Sequence, residues 1–282
     1  MIIKNKILNN IIIILIFFIA IQGCNKTSRP ALSDFPKDQD PHFPLYPGGP
    51  LKFFAAYDGT SDPLRNGVDS IRANFPSSNP LLSVDGVNQK GIQGDGTNAI
   101  KYPSANDFNG VTSCTISMWV NNNVNTNTEL YFSLTSKDYW HQSAAFLLVE
   151  HAAPDKCQLK FALMDHWVEY IDNFNEPLFN GQWHHLAFTY DETISLVKVY
   201  FDGVQVPTPG TAGTLMSGGA PLGKLDLKTA ENLVVGGWNK HAGLKGPTDS
   251  WISAFTGKMD QFRLYGKVLT DSEIMALYNS KE

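Results

Sequence analysis

The sequence predicts an all-β protein of the two-sheet antiparallel sandwich class, and three observations carry that prediction. Short runs of aliphatic, aromatic and β-branched residues recur between Thr115 and Tyr265, several of them strictly alternating with polar residues. Turn-forming pairs such as Asp191-Glu192, Asp202-Gly203 and Gly218-Gly219 separate the runs. A helical period appears once, near the C-terminus, behind the capping box Thr270-Asp271-Ser272-Glu273. Composition agrees with a globular domain. Of 282 residues, 43% are hydrophobic and 17% charged, which excludes a disordered tail, a collagen-like repeat and a polytopic membrane protein. A net charge of −5 argues against nucleic acid as a partner, because phosphate binding needs clustered Lys and Arg.

At the N-terminus, Lys4 and Lys6 precede an apolar run from Ile11 to Ile21. At ~1.5 Å per residue this run covers only about half of a ~30 Å bilayer core, so residues 1–23 read as a secretory signal and not as a span. Residues 24–50 include six prolines from Pro30 to Pro50 and read as an extended, semi-rigid spacer. From Leu51 to the C-terminus the pattern is that of one domain. Strand character falls on Thr115–Val120, Glu129–Leu134, Ala144–Glu150, Gln158–Met164, His184–Tyr190, Leu196–Asp202, Leu233–Gly236 and Met259–Tyr265. Leu159, Phe161 and Leu163 share one face, as do Leu186, Phe188 and Tyr190, and Val197, Val199 and Phe201. Phe146-Leu147-Leu148-Val149 is apolar on both faces, as in a strand packed on two sides. The final helix places Ile274, Leu277 and Tyr278 on one side.

Two resemblances sharpen this reading. Ile21-Gln22-Gly23-Cys24, directly behind the apolar run, resembles the lipobox of bacterial lipoproteins of the Bacteroidetes type. It implies that Cys24 is the lipidated mature N-terminus, anchored through several acyl chains at ~0.8 kcal/mol per buried methylene. The expected location is the cell envelope, at the outer membrane. Asn25-Lys26-Thr27-Ser28-Arg29 lacks an acidic export cluster, so the surface and periplasmic faces both stay open. In the mature chain, Thr115-Ile116-Ser117-Met118-Trp119-Val120 is followed by Gly181-Gln182-Trp183-His184-His185-Leu186-Ala187-Phe188-Thr189-Tyr190-Asp191 and Val199-Tyr200-Phe201-Asp202-Gly203. Leu233-Val234-Val235-Gly236-Gly237, residues 255–265 and residues 269–278 come next. The series resembles the laminin-G-like, concanavalin A-like jelly-roll family over residues 51–282. The resemblance implies two curved antiparallel sheets, extracytoplasmic placement and, in many members, carbohydrate binding.

Few residues carry candidate chemistry. Glucanases of this fold carry Glu-x-Asp-x-x-Glu on one strand; the run is absent here, and Asp165 with Glu169 around Trp167 is a weak substitute. The chain therefore reads as a non-enzyme. His184 and His185 are adjacent on a strand and point to opposite faces, while His141, His151, His166 and His241 lack zinc-ligand spacing. Asp260 shares strand parity with Phe262 and Leu264, which leans a carboxylate toward the core. The resemblance implies Ca²⁺ there, with Asp58 and Asp62 as further ligands; the alternative is a hydrogen-bonded carboxylate tying the last strand to the first loop. Cys114 and Cys157 read either as a disulfide worth ~4 kcal/mol or as two buried thiols. Trp119 and Trp183 lie within family motifs and are assigned to structure. Tyr139, Trp140, His141, Trp167, Trp238 and Trp251 are the candidate sugar-binding rings, flanked by Asp138, Gln142, Asp165, Asn239, Lys240 and Asp249. The functional expectation is a lipid-anchored, non-catalytic glycan-binding module of unspecified sugar. Its rivals are a protein-interaction scaffold in an envelope uptake or adhesion complex, and a glycoside hydrolase.

Overall fold

The computed structural model describes residues 50–58, 80–103, 105–135, 143–209, 213–245 and 248–281. Cys24 with the segments before and after it, Asp62, and the Asp138–Gln142 group that holds Tyr139, Trp140 and His141 lie outside the described residues. The described elements are β1 (Leu51–Ala55), β2 (Leu82–Asp85), β3 (Lys90–Gln93), β4 (Ile100–Tyr102), β5 (Cys114–Asn123), β6 (Thr128–Thr135), β7 (Ala145–Ala153), β8 (Lys156–Leu163) and β9 (His166–Phe174). They continue with β10 (Asn180–Asp191), β11 (Leu196–Phe201), β12 (Val204–Val206), β13 (Met216–Ser217), β14 (Ala220–Pro221), β15 (Asn232–Val235), β16 (Ile252–Ala254), β17 (Lys258–Tyr265) and helix α1 (Asp271–Ser280).

Two large sheets form the jelly-roll sandwich. One has eight strands in the order β12-β11-β10-β5-β17-β3-β2, with β1 also on β17. The other has seven in the order β4-β15-β6-β7-β8-β9, with β16 also on β6. The strand pairs within these two sheets are antiparallel except β16 with β6. Alternation dictates what lies between them. Ile116, Met118, Val120, Leu186, Phe188, Val197 and Val199 from the first sheet meet Phe132, Leu147, Val149, Leu159, Phe161 and Leu163 from the second in one buried core. Phe161 stacks on Phe188 across the gap, 4.6 Å between ring centroids. Each such side chain contributes roughly 1.5–3 kcal/mol of burial, so the facing surfaces are strongly specified.

Both outer faces are partly roofed, which is why several strands are apolar on two sides. Helix α1 lays Ile274 and Leu277 over Phe54, Ala187, Tyr200 and Tyr265 of the eight-stranded sheet. Its expected capping box is present: Thr270 Oγ1 accepts from the Glu273 amide (3.2 Å), and the Thr270 amide donates to Glu273 Oε2 (2.7 Å). Tyr278 stacks on Trp119, 5.6 Å between centroids. His184 and His185 diverge as strand geometry requires. His185 meets Ser117 Oγ (2.8 Å) under the helix, where burial first, then the Arg263 charge, lowers its pKa to about 3. His184 pairs with Asp202 (2.8 Å). On the seven-stranded sheet, Trp238 packs over Leu130, Phe146, Leu148, Ala162 and Ile252 of the strands β6, β7, β8 and β16. Among the described residues, no helix is long and apolar enough to cross a membrane.

One expected register is corrected. Asp260 pairs with Trp119 and Arg263 with Ser117, so an extra residue bulges out of β17 between them. Gln261 takes up the bulge at φ 49°. Asp260 therefore shares a face with Trp119, whereas Phe262 and Leu264 join the inter-sheet core.

Candidate functional site

Among the described residues, the part of the outer face of the seven-stranded sheet that Trp238 does not cover carries polar side chains of β6, β7, β8 and β9. Pairing sets Glu150 opposite Gln158, Lys160 opposite both Leu148 and Glu169, and Ala162 opposite both Phe146 and Trp167. Since Leu159 and Phe161 point into the core, Gln158 and Lys160 point outward. Side-chain bonds join them into a row. Gln158 Nε2 donates to Glu150 Oε1 (2.5 Å) and to Glu169 Oε1 (3.2 Å). Thr128 Oγ1 donates to Glu150 Oε2 (2.8 Å), and Lys160 Nζ sits 2.9 Å from Glu169 Oε1. Both carboxylates thus receive donors. Their shared partner holds them within ~6 Å of each other, near the ~5 Å of a retaining glycosidase pair.

Trp167 stands at the edge of this row, 44% exposed, with Lys160 Nζ 4.9 Å from the ring centroid. Trp251 is 48% exposed and precedes β16. Strands β16, β6, β7, β8 and β9 run side by side, and at ~4.8 Å per strand they present a surface ~19 Å wide with Trp167 on its β9 side. Trp238, expected beside them, is instead fully buried, because it roofs the apolar half of the same face. Its polar neighbours are structural too. Asn239 Nδ2 donates to the Lys245 carbonyl (3.2 Å), and Lys240 Nζ donates to the Asp249 carbonyl. His241 Nδ1 accepts from the Trp238 amide (3.1 Å). Asp165 occupies the β8–β9 turn with Met164, both at positive φ. Thr128, Glu150, Gln158 and Lys160 were missed from sequence. The available signal was the polar half of the Gln158–Phe161 alternation, ordinary for any solvent-facing strand.

A second group of polar atoms surrounds Asp260, which is completely buried. The turn between β2 and β3 folds over it, and Oδ2 accepts from the Val87 (2.8 Å) and Asn88 (3.2 Å) amides. Gly86 makes this approach possible: a Cβ there would lie 2.3 Å from Asp260 Oδ2. Asp260 Oδ1 is buried without a hydrogen-bond partner. Burial raises the carboxyl pKa to about 7, and the Asp58 charge adds to the rise against the pull of the backbone amides. Asp58 Oδ1 accepts from the Lys90 amide (2.9 Å), and the preceding Tyr57 holds φ 62°. Among the described residues, no three His, Cys, Asp or Glu side chains gather as a metal-binding group. The unpartnered oxygen of Asp260 and the nearby Asp58 fit a hard cation as a partial, oxygen-only donor set.

The expected Cys114–Cys157 disulfide is replaced by two free, buried thiols. Cys114 begins β5 of the eight-stranded sheet and Cys157 lies in β8 of the other. Facing sheets stand ~10 Å apart, wider than the ~4.4–6.8 Å between Cα atoms that a bridge spans. Burial alone pushes the Cys114 thiol up to about 12, and that of Cys157 is raised for the same leading reason.

Known proteins share this architecture. The family profile described as the concanavalin A-like lectin/glucanases superfamily matches residues 94–275. No curated protein sequence matches the chain. Among solved structures, domain 4 of AbnA, a GH43 extracellular arabinanase from Geobacillus stearothermophilus, solved in complex with arabinotriose, is similar at TM-score 0.52 and 20% identity. That likeness covers 81% of this chain and 98% of that one. The receptor-binding domain of the botulinum neurotoxin C/D mosaic serotype is similar at TM-score 0.56 and 12% identity, over 82% of this chain and 51% of that one. Trypanosoma rangeli sialidase gives 0.51 and 15%, over 86% of this chain and 35% of that one. At these identities the structural likenesses speak to fold alone.

Proposed function

The chain belongs to the concanavalin A-like lectin/glucanases superfamily, and from that premise we propose that it binds glycans without cleaving them, on the outward face of the seven-stranded sheet. The observation that carries the reading is the half-exposed Trp167 ring beside a row of hydrogen-bonding side chains on one rigid surface. A flat ring meets the C–H face of a sugar while the row meets its hydroxyls. The arabinotriose complex of the similar arabinanase domain supports a sugar as the ligand class for this architecture.

Hydrolysis is the weaker reading despite the spacing of Glu150 and Glu169. A glycosidase needs one protonated carboxyl to donate to the leaving group. Glu150 and Glu169 are instead tied to Thr128, Gln158 and Lys160 by side-chain bonds, an arrangement that holds the row together and leaves neither acid free to meet a leaving group. Affinity electrophoresis through polysaccharide gels tests both points. We expect retardation in at least one gel, its loss in Trp167→Ala, and no release of reducing ends. Retardation indifferent to that substitution would move the site elsewhere; reducing ends abolished by Glu150→Gln would make the protein an enzyme.

Two further parts complete the proposal. Ca²⁺ held by Asp58 and Asp260, with backbone carbonyls, would tie the loop after β1 to the last strand in a structural role. Lipidation at Cys24 would place the module in the cell envelope on its proline-rich stalk. On fractionation, Cys24→Ala should move the protein from membranes to the soluble fraction; retention in membranes would contradict the anchor.

A further inference from the structure

The charges on the open face carry the glycan-binding reading one step further, to the class of glycan. Glu169 has Lys160 as a cationic partner at 2.9 Å. Glu150 has none among the described residues; its partners are the neutral Thr128 hydroxyl and Gln158 amide. The row therefore holds two carboxylates against one ammonium and is net negative. Around Glu150 and Gln158 the spare hydrogen-bonding capacity has the same bias, while the Lys160 ammonium, the cationic donor of the row, sits against Glu169 and the Trp167 ring. Both protons of the Gln158 amide are engaged by Glu150 and Glu169, which leaves the Gln158 carbonyl oxygen and the remaining carboxylate lone pairs. Those are acceptors. Hydroxyl groups satisfy acceptors by donating, whereas a ligand carboxylate or sulfate brings only further acceptors and a like charge.

We propose that this surface selects neutral glycan chains over uronate-bearing or sulfated ones, with Glu150 as the excluding charge; the proposal rests on the glycan-binding reading.

The test uses the full mature chain in affinity gels of neutral polymers (arabinan, galactomannan, mixed-linkage glucan) and acidic ones (polygalacturonate, chondroitin sulfate). The expected result is retardation confined to neutral gels, with acidic polymers binding at least ~10-fold more weakly. Glu150→Gln, checked for folding by circular dichroism, should gain retardation in an acidic gel. Equal retardation of wild type in acidic and neutral gels would overturn the selectivity while leaving glycan binding intact. Retardation in no gel would overturn glycan binding itself. A Glu150→Gln variant that still excludes acidic polymers would remove Glu150 from the role.

Discussion

Asp260 enters the core on a bulged strand, with one oxygen held by the Val87 and Asn88 amides and the other without a hydrogen bond. Its pKa is raised by burial from 3.8 to about 7. Between those values the folded chain binds a proton that the unfolded chain releases, so in the metal-free protein this group lowers stability as pH rises from ~4 to ~7. His185, lowered to about 3, acts in the opposite sense, but it is common to wild type and variant and cancels in their difference. Metal-free Asp260→Asn should therefore gain ~1–3 kcal/mol relative to wild type between pH 5 and pH 8, read from urea unfolding. Ca²⁺ should then raise the melting temperature of wild type and not of the variant. A constant offset at both pH values, or an indifferent wild type, would contradict the role given to this carboxylate. The sequence placed Asp260 in the core but on the wrong face. A single inserted residue at Gln261 reverses the parity of the strand on either side of it, and nothing in the residue types marks it. Trp167 and Trp238 teach the same lesson. One indole is half-exposed and the other buried, and only packing distinguishes them.

At the scale of elements, local pattern and structure agree closely. The eight expected strands coincide with β5, β6, β7, β8, β10, β11, β15 and β17, with ends that differ by up to four residues, because alternation in a half-buried strand is itself the packing constraint. The capping box at Thr270 and Glu273 was legible because its chemistry is local. Replacing Thr270 with Ala removes the acceptor for the Glu273 amide and should cost about 1 kcal/mol of stability. Helix α1 covers Tyr200, Tyr265 and Ala187, so chemical denaturation should report the loss across the whole domain and not as local fraying. An unchanged urea midpoint would mean that the cap contributes nothing beyond its geometry. Several elements that alternation overlooked are short: β2, β3, β12, β13 and β14 have two to four residues each, too few for a period to register, whereas β9 has nine residues and was missed because its exposed positions Trp167 and Ile171 are apolar.

At the largest scale, the described residues form a sandwich whose two outer faces are unequally covered. Among the described residues, the eight-stranded sheet receives helix α1, and the seven-stranded sheet receives Trp238 over part of its outer face. That asymmetry creates the candidate site. It was not readable from sequence, since the covering residues lie about 90 positions from the strands they cover. The family, the two-sheet class and Trp167 were legible in the residues; Glu150, Gln158 and Lys160 became visible only when β7, β8 and β9 were set side by side. Glycan binding on this face requires particular indoles to meet the ligand. Nitrogen–proton correlation spectra resolve the indole signal of each Trp, and titration with an oligosaccharide from the polymer that retards the protein reads them directly. The signal of Trp167 should shift in a saturable way, while those of Trp119 and Trp238 stay in place. Shifts confined to Trp119 or Trp238, with Trp167 unmoved, would contradict a sugar site on the seven-stranded sheet.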